Sequence, residues 1–183
     1  IDRLVSQLFL YSKLDLEGAP MEMRLIRLDE FITSFVEEAA LDSRTHGLEI
    51  TAEQLAPVTV SADPEQLRRV LSNILENSIK YKDKETGRLC ITLEENGRLV
   101  LADDGPGVPE DALPKLFDVF YRSDPARKNP AGGSGLGLAI AAKAVQGMGG
   151  AIRARNGPNG GLAIEITLRK GEACDAEDPD YRG

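Results

Sequence analysis

Four short polar stretches carry the residue types from which a phosphate chemistry could be built. In "SNILENSIKY", residues 72–81, Asn73 and Asn77 stand four apart and share one face of a helix, with Lys80 and Tyr81 a turn further on. An amide oxygen is a hard, neutral ligand suited to Mg²⁺, and a lysine is a mobile cation that can reach phosphates. "DDGPGVP", residues 103–109, puts the Asp103 carboxylate at a strand end before Gly105 and Gly107. Such a carboxylate can accept from an adenine amino group while the glycines let the base approach the backbone. "LFDVFYRSD", residues 116–124, sets Phe117, Phe120 and Tyr121 ahead of a polar run with Arg122, Arg127 and Lys128. Aromatics can anchor a movable lid and cations can meet a terminal phosphate. Last, the glycines of "GGSGLGLAI", residues 132–140, open a helix, where free N–H groups and the helix dipole favour an anion.

Each stretch also has an ordinary reading: a solvated helix face, turn chemistry, core aromatics, a flexible loop. The glycine cluster is not a Walker loop, because no Gly-Lys-Ser/Thr follows. It is not a dinucleotide fingerprint either, since "RSDPARKNPAG" stands where a strand is required.

The elements that must position these residues read as follows. Residues 1–16 place Ile1, Leu4, Val5, Leu8 and Phe9 on a narrow helical stripe that wants a partner helix, and Gly18-Ala19-Pro20 breaks it. A short strand is expected in 23–29, a helix over 28–44 closed by His46-Gly47, and strands over 48–53 and 57–63. Asp63-Pro64 caps a helix whose buried face is Leu67, Val70, Leu71, Ile74 and Leu75. Asn96-Gly97 joins two strands in a hairpin. A short helix over 110–116, a polar stretch over 118–134, a helix over 135–148 and two final strands complete the pattern. The fold class is α+β: a two-layer sandwich of a mixed, largely antiparallel sheet with helices on one face, preceded by a helical stub. The division is 1–18 for the stub, 19–170 for the main domain and 171–183 for an acidic tail expected to be mobile.

The chain has 183 residues and a net charge of −8, which excludes a broad nucleic-acid surface and leaves a nucleotide to be held locally with a metal. Cys90 and Cys174 form neither a metal motif nor a disulfide framework, which fits a reducing compartment. No apolar run reaches the length of a membrane span. The first residue is Ile1, so segments upstream, a membrane anchor among them, fit a longer parent protein.

In this order and spacing, "NILENSIKY", "DDGPGVP", "FDVFYR" and "GGSGLGLAI" resemble the N, G1, F and G2 boxes of the ATP-binding domain of sensor histidine kinases. The wider superfamily includes type II topoisomerase subunits, the 90-kDa heat-shock chaperone, mismatch-repair ATPases and anti-sigma serine kinases. The resemblance implies ATP and Mg²⁺ as cofactors. It makes Asn77 the metal ligand, Asn73 its helical neighbour at the reacting phosphate, Lys80 a phosphate contact and Tyr81 an adenine partner. Asp103 would bind the adenine amino group in a pocket shaped by Gly105 and Gly107. Arg122 would reach the terminal phosphate from the lid, and Phe120, Gly133, Gly135, Leu136 and Gly137 would complete the nucleotide contacts.

Where hydrolysing relatives carry a glutamate, four residues before the metal-binding asparagine, this chain has Asn73, whose amide takes no proton at neutral pH. Glu76 should project about 100° away from Asn77 and not replace that base. Phosphoryl transfer is therefore expected over hydrolysis. The implied acceptor is a histidine on a dimerisation hairpin upstream; residues 1–16 resemble the end of its second helix, and the one histidine, His46, reads as structural. The implied partners are that hairpin, a second copy of the parent protein and a response regulator, in the cytoplasm. Two alternatives remain at this point: a nucleotide-gated interaction module without phosphotransfer, and a stand-alone ATPase, which Asn73 opposes.

Overall fold

Every second residue along β4 (Gly87–Leu93) is apolar, and β5 (Arg98–Asp103) is apolar throughout Leu99 to Ala102, which places both strands in the middle of a layered core. In the computed structural model, which describes residues 2–15, 20–42, 47–122, 134–158 and 160–171, Leu89, Ile91 and Leu93 of β4 and Leu99 and Leu101 of β5 are buried in one core. The same face continues through Leu162, Ile164 and Ile166 of β7 (Leu162–Thr167) and Ile152 and Ala154 of β6 (Ala151–Asn156). The opposite sheet face carries ion pairs around the buried Val100 and Ala163: Arg98 pairs with Glu165 across β5 and β7, Arg155 of β6 reaches the same carboxylate, and Arg88 reaches Glu49.

The order of the five-stranded sheet is β2-β4-β5-β7-β6, with β2 (Leu48–Leu55) parallel to β4 and the other neighbours antiparallel. The strands expected at 48–53 and 57–63 are both present, and they lie in different sheets. β2 joins the large one, while β3 (Thr59–Ala62) pairs with β1 (Arg24–Arg27) in a separate ribbon. Alternation identifies a strand but not its neighbour, and β2 finds its parallel partner only after the chain has crossed over through a helix. The helix expected over 110–116 is instead a run of turns with one 3₁₀ turn, Leu113–Lys115. Pro114 lacks the N–H that an α-helix would need there.

The helical layer is α2 (Leu28–Leu41), α3 (Pro64–Tyr81) and α4 (Gly137–Gly147). α3 starts where the sequence indicates, because Asp63 accepts from the backbone N–H groups of Glu65 and Gln66 at 2.9 and 3.1 Å. It buries Leu67, Val70, Leu71, Ile74, Leu75 and Ser78. α2 ends at Leu41, and Asp42 is already extended, so it stops short of the expected cap at His46-Gly47, of which His46 lies outside the described residues. α1 (Asp2–Asp15) packs along α4, with Lys143 over the Tyr11 ring, yet Val5 and Phe9 stay exposed. Among the described residues no helix is long and apolar enough to cross a membrane. The acidic tail beyond residue 171 lies outside them.

Candidate nucleotide site

α3 carries its chemistry on two faces. The apolar face goes into the core, and Asn73, Glu76, Asn77 and Lys80 line a cavity of about 340 Å³ between α3, the loop after β5 and the start of α4. The 1.5 Å rise per residue puts Asn73 and Ser78 roughly 7.5 Å apart along the axis, so α3 marks off two ends of the cavity.

At one end stands Asp103, the last residue of β5. Its Oδ1 accepts the backbone N–H groups of Gly105 and Leu162, each at 3.0 Å, and its Oδ2 lies 3.4 Å from the Ser78 hydroxyl. Burial pushes this carboxyl above the usual aspartate range, and those three hydrogen bonds pull against the shift without cancelling it. Gly161 is pressed onto the same residue: at φ +80° a Cβ there would lie 1.9 Å from the Asp103 carbonyl oxygen. Asn156, at the end of β6, accepts from Val108 N at 3.0 Å and donates to Val108 O at 2.7 Å, which clamps the loop that carries Gly107.

At the other end Asn73 faces the first turn of α4, its Oδ1 3.8 Å from where a Gly137 Cβ would sit. Its Nδ2 is buried and has no hydrogen-bond partner. Lys80, two residues beyond Ser78 on α3, has its Nζ 4.0 Å from Glu76 Oε2. Arg122, Gly135 and Gly137 also line the cavity. Gly135 needs its φ of +72°, since its carbonyl takes the Phe120 N–H at 3.0 Å and a Cβ would meet the Phe120 backbone at 2.8 Å.

Of the residues singled out in the sequence, Asn73, Asn77, Lys80, Tyr81, Asp103, Gly107, Arg122, Gly135 and Gly137 therefore line one cavity. Gly105 touches it through Asp103. Phe120 is not in the wall: its φ is +63° and its side chain is exposed. Leu136 is fully buried, so it contributes backbone and packing only. Gly133, Arg127 and Lys128 fall outside the described residues. Glu76, expected to point away, does line the cavity, which is wide enough to take in a residue 100° round the helix. Ser78, Asn156, Gly161, Leu162 and Gln7 were not anticipated. Gln7 Oε1 receives a hydrogen bond of 2.6 Å from Ser134, across 127 residues of sequence.

A Mg²⁺ site can be tested against these side chains. Among the described residues no three His, Cys, Asp or Glu groups converge, so a divalent ion would be held by one or two protein oxygens together with phosphates. The Asn77 amide oxygen on the cavity wall and the unpartnered amide of Asn73 one turn away fit that pattern.

Residues 62–172 match the model of the "histidine kinase-, DNA gyrase B-, and HSP90-like ATPase" family. The chain belongs to this family. Within it the relatives are sensor histidine kinases. The sensor histidine kinase component HK1 of Mycobacterium tuberculosis (strain ATCC 25618 / H37Rv) is 38% identical over 140 residues, 75% of this chain and 80% of that protein. The signal transduction histidine-protein kinase BaeS of Escherichia coli (strain K12) is 39% identical over 127 residues, 68% of this chain. The sensor histidine kinase WalK of Bacillus subtilis (strain 168) is 32% identical over 171 residues, 91% of this chain. The chain spans 27% of the length of BaeS and 28% of WalK. Among solved structures, the mycobacterial sensor histidine kinase MprB superposes with a TM-score of 0.68 at 31% identity, covering 80% of this chain and 98% of that one. Full-length ShkA in complex with AMPPNP gives 0.75 at 26% identity, covering 93% of this chain and 36% of ShkA. The histidine kinase ATPase family thus accounts for the α+β sandwich, and it identifies the chain as an ATP-binding catalytic domain of the sensor kinase type.

Proposed function

We propose that this domain binds Mg²⁺-ATP in the cavity beside α3 and passes the γ-phosphoryl group to a histidine on a separate helical hairpin of its parent protein, for onward transfer to a response-regulator aspartate. The observation that carries the reading is the pairing, in one cavity, of a half-buried carboxylate at one end with a buried, unpartnered amide nitrogen at the other. A purine amino group suits the first and phosphate oxygens suit the second. Asp103 Oδ2 accepts from the base, Tyr81 flanks it, and Asn77 holds the metal. Lys80 and Arg122 balance phosphate charge, and the backbone around Gly135 and Gly137 approaches the phosphates. When bound, Mg²⁺ supplies neutralisation of the charge that builds on the transferring group.

Asn73 favours transfer over hydrolysis. Its amide donates to a phosphate oxygen but takes no proton from water, so attacking water goes without a base at this position. Glu76, engaged beside Lys80, is oriented toward that cation and serves to hold it. The acceptor nitrogen forms its bond to the γ-phosphorus as the bond to the β,γ-bridging oxygen breaks and ADP leaves. The parent protein dimerises through the hairpin, and this domain works on the cytoplasmic side. The test is radiolabelled ATP with the parent's acceptor hairpin added in trans, comparing acid-labile protein label with released phosphate. Label on the hairpin with slow phosphate release is expected. Rapid release with no label would replace the kinase reading with that of an ATPase.

A further inference from the structure

Ser78 belongs to none of the chemistry assigned above, yet it is one of the few buried polar side chains, with 3% of its surface exposed. Its hydroxyl has one proton and two acceptors within reach: the Ile74 carbonyl oxygen at 3.3 Å and Asp103 Oδ2 at 3.4 Å. The Ile74 carbonyl sits in the middle of α3, where the helix ladder already supplies it with a donor. Oδ2 is ionic and takes no backbone N–H, because Gly105 and Leu162 both donate to Oδ1. A hydrogen bond to an ionised acceptor is roughly twice as strong as one to a neutral acceptor, so the proton goes to Asp103.

We propose that Ser78 is a positioning residue for purine selection: its hydroxyl donates to Asp103 Oδ2 and holds that oxygen as an acceptor turned toward the 6-position of the base. This rests on the reading of Asp103 as the group that meets the purine. The chemistry follows from what the carboxyl becomes without the hydroxyl. An ionised Oδ2 accepts from a 6-amino purine, whereas a protonated one presents O–H and suits a 6-oxo purine. Burial favours the protonated form, and the Ser78 hydrogen bond opposes it.

The charged groups around Asp103 come from each neighbouring element. Asp104, next along, repels the Asp103 charge, while Lys84 lies 3.0 Å from the Asp104 carboxylate. Arg88 of β4 gives its backbone N–H to Asp104, not to Asp103. From α3 and the segment after it, Glu76, Lys80, Tyr81, Lys82 and Asp83 share the cavity wall, with Lys82 bonded to the Gly47 and Glu85 carbonyls. Tyr121 and Arg122 also line the cavity, and β7 contributes Leu162, which has no charge. Ser78 provides the side-chain hydrogen bond that steadies the Asp103 charge.

The experiment titrates the whole chain with ATP and with ITP, which differ at the purine 6-position, from about pH 5.5 to 8.5, for wild type, Ser78→Ala and Ser78→Thr. Alanine is the best helix former, so Ser78→Ala should keep α3, and circular dichroism and a melting curve check this. The ratio of ATP to ITP affinity should drop about tenfold in Ser78→Ala, mostly through ATP, with Ser78→Thr restoring the hydroxyl and the ratio. The loss of ATP affinity on acidification should begin at a higher pH in Ser78→Ala than in wild type. A folded Ser78→Ala protein with the wild-type ratio at every pH, or with equal losses for both nucleotides, would overturn the proposal. A wild type that binds ATP and ITP alike would sink the reading of Asp103 itself, and the role of Ser78 with it.

Discussion

At the Asp103 end of the cavity the polar groups already have partners: Oδ1 takes two backbone N–H groups, Oδ2 faces a hydroxyl, and Asn156 fixes the adjoining loop by both of its amide atoms. At the Asn73 end, a buried N–H group of the side chain has no partner, and the first turn of α4 meets it with Gly137. The first end is organised largely by backbone groups whose ordering entropy folding has already met, with the Ser78 and Asn156 side chains added. The second holds a side-chain donor, Asn73 Nδ2, that a phosphate oxygen would satisfy. Such a division suits a site that must select one base in a fixed frame yet release a phosphate that changes during the reaction.

The comparison can be broken most forcefully at Asn77. Asn77→Ala should leave the melting temperature close to wild type, because the side chain faces the cavity, while Mg²⁺-dependent ATP affinity falls by about 3 kcal/mol or more, roughly a hundredfold. Calorimetry with and without Mg²⁺ measures this; an unchanged metal dependence would move the ion to another residue. Next in size is Asp103→Asn, which should cost ATP about 1.5–3 kcal/mol and narrow its preference over GTP. With the amide oxygen kept under the two backbone N–H groups, the amide nitrogen would stand where Oδ2 stood, a donor facing a donor. In the wild type the same logic makes ATP affinity decline as pH falls, with onset above the ordinary aspartate range, since burial raises this carboxyl and protonation removes its acceptor. Equal losses for ATP and GTP in Asp103→Asn would take Asp103 out of base recognition.

The smallest effect, and the sharpest on the contrast between the ends, is expected from Asn73→Ala. Removing a buried unpartnered donor should raise stability without nucleotide by about 1 kcal/mol while phosphoryl transfer drops. A destabilised variant would mean that Asn73 is held by the fold rather than by the guest.

The residues on the cavity wall were legible through the joint resemblance of four stretches to the boxes of one family. Taken singly, a carboxylate at a strand end before Gly-Pro-Gly, or two asparagines one helical turn apart ahead of a lysine, had an ordinary reading as well. The residues that escaped did so for reasons of distance or disguise. Gln7 meets Ser134 only through the packing of α1 on α4, which no local pattern encodes. Ser78 in an apolar helix face looks like tolerated core polarity until Asp103 is seen behind it. Asn156 and Gly161 read as ordinary hairpin chemistry, and their bearing on Asp103 and Val108 appears only when β6 and β7 are set beside β5. In the fold, the helices of the core layer followed their caps and periodicity, whereas the assignment of β2 and β3 to different sheets is a long-range choice that alternation leaves open. The expected helix over 110–116 failed on the one local signal given too little weight, Pro114.

Among the described residues, the strand order β2-β4-β5-β7-β6 leaves the large sheet with two free edges, and the way they are finished bears on how the domain behaves at high concentration. An unpaired strand is a template for a second molecule to add to, and long, flat, apolar edges invite aggregation. Here β2 carries exposed Glu49 and Glu53 and loses register with its neighbour between Glu53 and Leu55, where Gln54 turns to a φ of +51°. β6 presents exposed Arg153 and Arg155. Charge along both rims and an irregularity in one of them discourage strand addition, so the domain keeps its backbone hydrogen bonds to itself when many copies are crowded together.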